Sequence, residues 1–178
     1  MPILYRRLQE GDGYAYRCIH LESLKVFPDN FGTLYQDQVN VPILLFETFI
    51  ETGSKDNFMI GAFAEGELIG IAGVRREERP KTRHRGEIVQ VFVKPAFHGQ
   101  KIGETLVRKV IDAAFLLPGV ESLELSAVAD NSAARRLYEK VGFETYGIRN
   151  GYFKSGGNYT DQRFMQLSKE KYLSGDPA

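Results

Sequence analysis

The sequence contains a single cysteine, no excess charge of either sign and no long apolar run, and each of these properties narrows what the protein can be. Because Cys18 stands alone, the chain can form no internal disulfide and no cysteine-based metal site, and we expect no metal cofactor. Lysine plus arginine and aspartate plus glutamate both number 23, so charge gives no reason to expect binding to nucleic acid or to a membrane surface. No run approaches the roughly 18 apolar residues that a membrane-spanning helix needs.

The start of the sequence, MPILYRRLQEGDG, lacks the apolar segment of a signal peptide. Together with the missing disulfides, this predicts a cytoplasmic protein. The 178 residues predict a single globular domain, expected over residues 1–170, followed by a loose C-terminal tail over 171–178. The basic stretch RREERPKTRHR, residues 75–85, is interpreted as a solvated loop in preference to a binding surface.

Hydrophobic periodicity predicts the elements of the first half of the chain. ILYRRL (3–8) is typical of a strand, GDGYAYRCIHLESLKVFP predicts a helix that ends at Pro28, and PILLFETFIETG predicts a second helix with Pro42 near its start. The stretch NFGTLYQDQVN between them is expected to be irregular. FMIGAFAEGELIGIAGVRRE predicts a hairpin that turns at Glu65 and Gly66.

The second half alternates between strands and helices. EIVQVFVKP (87–95) and VESLELSAVA predict strands, whereas KIGETLVRKVIDAAFLLPG and DNSAARRLYEKVG predict helices. FETYGIR and DQRFMQLSK are interpreted as two last strands around a flexible loop, NGYFKSGGNYT. The alternation implies a parallel pair in the middle of the sheet, and the hairpins imply antiparallel edges. The expected fold class is therefore α/β (α+β), a mixed sheet flanked by helices.

A strand, a short glycine-containing loop and a helix follow one another in VKPAFHGQKIGETLV, residues 93–107. The first N–H groups of a helix have no partner within it and carry partial positive charge, so such a junction can bind a phosphate. Gly99 supplies conformational freedom, and Gly103 has no side chain to hold away a ligand or a strand. By itself the stretch is more typical of an ordinary turn, since it matches neither the P-loop nor Gly-x-Gly-x-x-Gly.

A second candidate site lies in DNSAARRLYEKVGF, residues 130–143. Asn131 and Tyr138 are seven positions apart, which places them on one face of a helix. Taken alone, the pair is explained by an N-cap and by a half-buried tyrosine that packs beside Leu137 and Val141.

Together and in this order, the two stretches resemble the GNAT superfamily of N-acetyltransferases. The family's first signature, Val-x-Pro and then Arg/Gln-x-x-Gly-x-Gly/Ala, corresponds to Val93-Lys94-Pro95 and residues 98–103, with His98 in place of Arg or Gln and Lys101 in place of Gly. The later signature, Asn-x-x-Ala-x-x-Leu-Tyr-x-x-x-Gly-Phe, is met in full by Asn131, Ala134, Leu137, Tyr138, Gly142 and Phe143. The order of elements resembles this family over nearly the whole chain, and it implies a mostly antiparallel sheet with a central parallel strand pair.

The resemblance implies acetyl-CoA as the co-substrate. The backbone of Val91, Phe92 and Val93 would pair with its pantetheine arm like an added strand, and an N–H there would polarise the thioester carbonyl. Asn131 would bind the CoA arm, and Tyr138 would protonate the leaving thiolate, at a small cost because tyrosine and thiol pKa values lie near 10 and 8.5. The pyrophosphate would lie on the backbone amides of His98, Gly99, Gln100, Lys101, Ile102, Gly103 and Glu104.

The acceptor amine is mostly protonated near neutral pH, so the reaction also needs a base. Glu87 is the first candidate, because alternation along the strand would place it on the same face as Val89, Val91 and Val93, and because its place resembles that of the base glutamate in histone-type members. A capping role for Glu87 at the basic loop is an equally acceptable explanation, and His84 or a chain of waters is an alternative base.

The acceptor pocket in this family is built by the first two helices and the last hairpin loop. We expect the aromatic residues of the helices to belong to the core and those of the loops to line the pocket: Phe31, Tyr35, Tyr152 and Tyr159. His20, inside the first helix, is predicted to be structural. No acidic cluster indicates a polyamine or an aminoglycoside.

The main hypothesis is therefore an acetyl-CoA-dependent N-acetyltransferase in which a primary amine attacks directly in a ternary complex. Cys18 lies in an amphipathic helix without a reactive context, so no covalent intermediate is expected. A small molecule and a protein or peptide are both open as the acceptor, and a homodimer is compatible with the exposed sheet edges of this fold. The alternative is a non-catalytic acyl-CoA-binding or sensory module on the same fold, in which Tyr138 would have no purpose as an acid.

Overall fold

The computed structural model describes residues 2–175. Within this range the strands are β1 (Leu4–Arg7), β2 (Phe58–Ala64), β3 (Glu67–Arg76), β4 (Arg85–Val93), β5 (Ser122–Val128), β6 (Glu144–Ser155) and β7 (Asn158–Ser168). The α-helices are α1 (Gly13–Val26), α2 (Tyr35–Val39), α3 (Leu45–Glu51), α4 (Ile102–Phe115), α5 (Ser132–Lys140) and α6 (Lys169–Ser174). None of the helices within residues 2–175 is long and apolar enough to cross a membrane.

The strands form one seven-stranded sheet in the order β1-β2-β3-β4-β5-β7-β6. Only β4 and β5 pair in parallel within the described residues, and the other neighbours are antiparallel. The β4–α4–β5 unit supplies the helical crossover that a parallel pair requires. The predicted fold class, a mixed and mostly antiparallel sheet with a central parallel pair and flanking helices, is confirmed.

Each face of the sheet has its own hydrophobic core, because strands β2 and β3 are buried on both sides. One face packs against α4, whose apolar stripe includes Leu106, Val110 and Ile111. The other face packs against α1 and α3 through residues such as Tyr16 and Phe46. The two helical layers therefore lie on opposite sides of the same strands.

Strand β4 changes its facing part-way along. Gly73 pairs with Val89 and Ile71 pairs with Phe92, so β4 holds one more residue than β3 over the same distance. The extra residue is accommodated at Gln90, whose φ of 53° lies in the left-handed region, and the result is a β-bulge.

This bulge corrects the alternation predicted for β4. Glu87 precedes the bulge and shares its parity with Val89, which packs against the core of α1 and α3. Val91 and Val93 follow the bulge and pack against the core of α4. The expectation that Glu87 shares a face with Val91 and Val93 is therefore wrong, because a bulge reverses the parity of every residue beyond it.

Two further segments differ from their predicted structures, whereas the second helix begins at Leu45, close to Pro42. The stretch expected to be irregular contains α2. The segment expected to be a flexible loop belongs to β6 and β7, which extend as a long hairpin to a turn at Gly156 and Gly157. Both glycines have positive φ, which residues with a side chain rarely adopt.

The prediction of a loose C-terminal tail from residue 171 is wrong for its first residues, since residues 169–174 form α6. Ser168 caps this helix by accepting a hydrogen bond from the Lys171 N–H at 3.2 Å. The Tyr172 ring lies 5.7 Å from that of Phe115, and its hydroxyl donates to Asp112 at 2.7 Å. These contacts fasten the segment to α4, whereas residues 176–178 lie outside the described range.

Part of the basic stretch 75–85 also differs from a solvated loop. Arg76 belongs to β3 and is 8% exposed. Its guanidinium donates to Asp56 at 2.9 Å and to the Pro118 carbonyl at 2.6 Å. Arg76 therefore ties neighbouring segments together.

Candidate active site

The parallel strands β4 and β5 separate after a short paired segment. Their pairing covers Arg85–Glu87 and Ser122–Glu124, although β4 continues to Val93 and β5 to Val128. The edge of β4 beyond residue 87 therefore has no strand beside it on that side. The gap opens into a cleft of about 960 Å³ that is also lined by the starts of α4 and α5 and by part of β6.

The start of α4 lines this cleft, and its first amides are free. The N–H groups of Ile102, Gly103 and Glu104 precede the first hydrogen bond of the helix, which the Thr105 N–H makes to the Lys101 carbonyl at 3.0 Å. An added Cβ at Gly103 would lie 3.3 Å from Leu137 and 3.7 Å from Val93, so glycine lets the helix approach its neighbours closely.

Lys101 is the N-cap of α4 and has φ 59° and ψ 14°. This is the left-handed conformation, in which glycine is favoured. The family signature has glycine at this position, and the backbone shape that glycine would give is retained here with a lysine. Gly99 has φ 77° with open space around it.

Basic side chains gather around the same helix start. Lys101, Arg136 and Lys140 line the cleft, together with Glu104. The Glu104 carboxylate accepts from Lys140 at 2.6 Å and from Arg108 at 3.3 Å. The hydrogen bond from Lys140 is the main reason that the pKa of Glu104 is lowered, with Arg108 adding to it. The free amides and the surplus of cations suit a phosphorylated ligand.

The start of α5 is closed by its own cap. Asn131 accepts a hydrogen bond through Oδ1 from the Ala134 N–H at 3.0 Å. This confirms the predicted N-cap, and it leaves the side-chain amide nitrogen free to donate. Asn131 also lines the cleft, so its two roles are compatible.

Tyr138 lies two turns further along α5 and lines the same cleft. The residue is 8% exposed, and its hydroxyl has no hydrogen-bond partner among residues 2–175. Burial raises the pKa of Tyr138 to about 12. The hydroxyl therefore stays protonated across the neutral range.

Glu87 lies where the cleft adjoins a second cavity between β4 and the N-terminal helices. Its carboxylate forms an ion pair with Arg75, at 2.5 Å between Oε2 and Nη2. His98 is also engaged, since its Nε2 lies 2.7 Å from the Val93 carbonyl oxygen and its ring stacks on Phe27.

Most of the residues predicted to bind the cofactor or the acceptor meet around this cleft. Those in its lining are Glu87, Val91, Phe92, Val93, His98, Gly99, Lys101, Ile102, Gly103, Glu104, Asn131, Tyr138, Phe31 and Tyr152. Gln100, Tyr35 and Tyr159 are not in this lining. Tyr35 instead lies under Lys25 and Tyr159 under Lys154, each as a cation–π pair.

Two residues of the lining, Gln90 and Gln162, escape prediction from the sequence. The Gln90 Oε1 accepts from the Tyr16 hydroxyl at 2.8 Å, and Gln162 is 6% exposed with no partner for its Oε1. The one available signal for Gln90 is a polar residue inside the run EIVQVFV. Gln162 has no such signal, because bulges in the β6–β7 pairing hide its facing.

Residues 15–143 match the sequence model of a known protein family, the acetyltransferase (GNAT) family. The chain belongs to the GNAT family. The resemblance inferred from the two motifs is thereby confirmed. The match includes most of α1, the cleft strands β4 and β5, α4 and α5.

Two curated relatives of this GNAT chain are named as acetyltransferases. N-alpha-acetyltransferase RimI of Mycobacterium tuberculosis is 37% identical over 129 residues, which are 72% of this chain and 73% of the relative. Spermidine N(1)-acetyltransferase of Vibrio cholerae is 29% identical over 91 residues, which are 51% of this chain and 53% of the relative. Acyl transfer in general is what these relatives have in common.

Solved GNAT structures share the whole fold. The acetyltransferase of the GNAT family from Streptococcus pneumoniae superposes with a TM-score of 0.81 at 20% identity, covering 94% of this chain and 99% of the other. NAA60 of Arabidopsis thaliana, solved in complex with acetyl-CoA, superposes with a TM-score of 0.70 at 17% identity, covering 95% and 99%. Within residues 2–175 the structure brings together no group of three or more histidine, cysteine, aspartate or glutamate side chains that could hold a metal ion.

Proposed function

We propose that this GNAT chain is an acetyl-CoA-dependent N-acetyltransferase that transfers the acetyl group to a primary amine in a ternary complex. The observation that carries the proposal is the cleft between the separated strands, which has free helix amides at one end and the Tyr138 hydroxyl in its wall. These features suit a long ligand with a phosphorylated end and a reactive sulfur.

The residues of the cleft fit such a ligand. The amides of Ile102, Gly103 and Glu104 would hold a pyrophosphate, with Lys101 and Arg136 close by. The free edge of β4 at residues 91–93 would bind the pantetheine arm through backbone hydrogen bonds, and the Asn131 amide would donate to it. Acetyl-CoA supplies the thioester carbon that the acceptor amine attacks.

In the transfer the amine nitrogen forms a bond to the thioester carbon, and the carbon–sulfur bond breaks. A backbone N–H of β4 would stabilise the charge that develops on the carbonyl oxygen. Tyr138 would donate its proton, or a hydrogen bond, to the departing sulfur. With a pKa of about 12, Tyr138 is a weaker acid than a free phenol, so a hydrogen bond that strengthens as charge develops is favoured over complete proton transfer.

A general base is also needed to accept the proton of the acceptor amine. Glu87 is at the junction of the cleft and the second cavity, and its Oε1 is not used by Arg75. We propose Glu87 as the base. The test is the pH–rate profile of Glu87→Gln, in which we expect a lower rate and loss of the acidic limb. An unchanged profile would move the base to another group.

The experiment for the function itself combines binding and turnover. Calorimetry should detect binding of CoA and acetyl-CoA, and CoA release should depend on adding a member of an amine panel. Absence of both would refute the proposal. Tyr138→Phe then separates an enzyme from a binding module, since we expect turnover to fall by roughly 10²-fold or more while the Kd for CoA is retained.

A further inference from the structure

A second cavity of about 390 Å³ lies beside the cleft, between β4 and helices α1, α2 and α3. Its walls combine apolar side chains, including Leu24, Leu44 and Phe46, with polar ones such as Thr33 and Gln38. The two cavities share lining residues at their junction: Phe31, Gly32, Glu87, Val89 and Gln90. This junction is also where β4 separates from β5, so a molecule held there can reach both spaces.

His20 lines the second cavity and is only 5% exposed. Its ring stacks on Tyr16, at 5.6 Å between centroids and 11° between planes. Among residues 2–175 its Nδ1 has no hydrogen-bond partner. A buried polar atom without a partner is costly, and in a cavity it can be satisfied by a ligand or by water.

The charge state of His20 limits what that ligand can be. Burial lowers the pKa of His20 to about 4, although a hydrogen bond with the Gln38 side chain partly offsets this effect. In a neutral imidazole one nitrogen donates and the other accepts, and a hydroxyl group, which can do both, can bond to Nδ1 in either tautomer. A neutral ring suits a hydroxyl group better than a carboxylate or an ammonium group.

We propose that His20 is a specificity-determining residue and that the second cavity holds the side chain of the acetyl acceptor, an α-amino compound with an aromatic ring that ends in a hydroxyl. The proposal rests on the proposed N-acetyltransferase function and deepens it by naming the acceptor class. The apolar side chains of the walls bury the ring, the hydroxyl bonds to His20 Nδ1, and the amine remains at the junction beside Glu87.

The chemistry of the lining agrees with this assignment. A tyrosine-like side chain has an apolar body and a polar tip, which matches apolar side chains beside the buried His20 nitrogen. Tyr16 and Gln90 form part of the wall toward the cleft, where the Tyr16 hydroxyl donates to Gln90 at 2.8 Å. The charged side chains of the lining, Arg75 and Glu87, pair with each other at 2.5 Å, and Arg17 pairs with Glu47 at 2.6 Å.

The experiment compares acceptors that differ by one group. Tyrosinamide and phenylalaninamide differ only in the hydroxyl, and glycinamide has no side chain to fill the cavity. The kcat/KM of each is measured at saturating acetyl-CoA for the wild type, His20→Leu and His20→Asn, with Cys18→Ser on the exposed face of the same helix as the matched control. Calorimetry with CoA is run in parallel on each protein.

For the wild type and for Cys18→Ser we expect tyrosinamide to exceed phenylalaninamide by about tenfold or more, because the analogue leaves His20 unpaired. Both His20 variants should bring that ratio close to one. The ratio of kcat/KM for tyrosinamide to that for phenylalaninamide is measured on the wild type itself, so the proposal can still be tested if His20→Leu fails to fold.

Two results would overturn the inference. If glycinamide is acetylated and the tyrosinamide ratio is close to one in the wild type, His20 is satisfied by water and the proposed function stands without this acceptor class. If no amine is acetylated and CoA does not bind, the proposed function fails and the acceptor assignment falls with it.

Discussion

Helices α4 and α5 begin at the same cleft, and their first turns are built in opposite ways. The α4 start has Lys101 in a left-handed conformation and no side-chain cap, so three amides remain free. The α5 start is capped by Asn131, whose Oδ1 takes the Ala134 N–H. An open helix start attracts an anion, whereas a capped one fixes the position of the helix that follows. The open end therefore suits ligand binding, and the capped end suits holding Tyr138 in place.

The largest effect on this contrast is expected from filling the space between the two helix starts. Gly103→Val places a side chain where even a Cβ would lie 3.3 Å from Leu137, and overpacking of this kind costs about 1–3 kcal/mol. We expect a lower urea midpoint and weaker CoA binding. Gly147→Val is the matched control, because no atom lies within 4 Å of its added Cβ. Equal loss of stability in the two variants would contradict the close approach at Gly103.

The cap of α5 can be removed without touching the α4 start. Asn131→Ala should lower the free energy of unfolding by about 1 kcal/mol, because the Ala134 N–H loses its partner. Asn131→Asp keeps an accepting oxygen and loses the donating amide, so it should retain stability and weaken CoA binding. Urea denaturation measures the capping role through stability, and calorimetry measures the binding role through the affinity for CoA. If Asn131→Asp binds CoA as the wild type does, the amide is not a contact.

The α4 start can be given the residue that its backbone prefers. Lys101→Gly should raise the free energy of unfolding by up to about 1 kcal/mol, since the left-handed conformation disfavours a side chain. Lys101→Ala removes the charge and keeps the strain, so it serves as the control. We expect both variants to bind CoA slightly more weakly than the wild type at low salt. Tighter binding in Lys101→Gly alone would identify the lysine as a constraint and not a contact.

The smallest effect is expected where the two helices are linked by charge. Glu104→Gln removes the partner of Lys140 and should cost less than about 1 kcal/mol of stability. The freed lysine should bind a phosphorylated ligand more tightly, and calorimetry with CoA measures this.

The same variant has a pH signature. Because Lys140 lowers the pKa of Glu104 in the folded state, the stabilisation is present above the ordinary glutamate pKa and is lost as pH falls through the lowered value. Glu104→Gln should lack this component in urea midpoints measured at neutral and acidic pH. An identical pH dependence in both proteins would show that the Lys140 link contributes nothing.

The sequence predicts the fold class because hydrophobic periodicity locates most elements and the alternation in the second half sets the parallel pair. The motif residues of α4 and α5 also meet at one cleft, since each lies at the end of a predicted element. What alternation does not predict is a change of facing. The bulge at Gln90 interrupts the alternation inside β4, so Glu87 and Val91 lie on opposite faces of the sheet. The bulge itself depends on how the backbone of β4 pairs with β3.

The substrate side is predicted less well for a related reason. Tyr35 and Tyr159, two of the aromatic residues predicted for the pocket, lie outside the cleft lining, and each pairs with a lysine. Phe153, in contrast, reaches the loop at Gly32, where an added Cβ would meet its ring at 2.7 Å. Which side chains of the final hairpin meet the N-terminal segment is decided by its irregular pairing, which no local pattern encodes.

Because of the bulge at Gln90, a deletion in β4 would have a different effect from a substitution. Deleting this one residue would restore simple alternation, and it would turn the valines at 91 and 93 toward the N-terminal helices and away from α4. Substitution at Gln90 keeps the count and so keeps both faces in register. If an alignment with a related sequence needs a gap in this strand, the residues beyond the gap face opposite sides of the sheet in the two proteins, even where every neighbouring residue is identical.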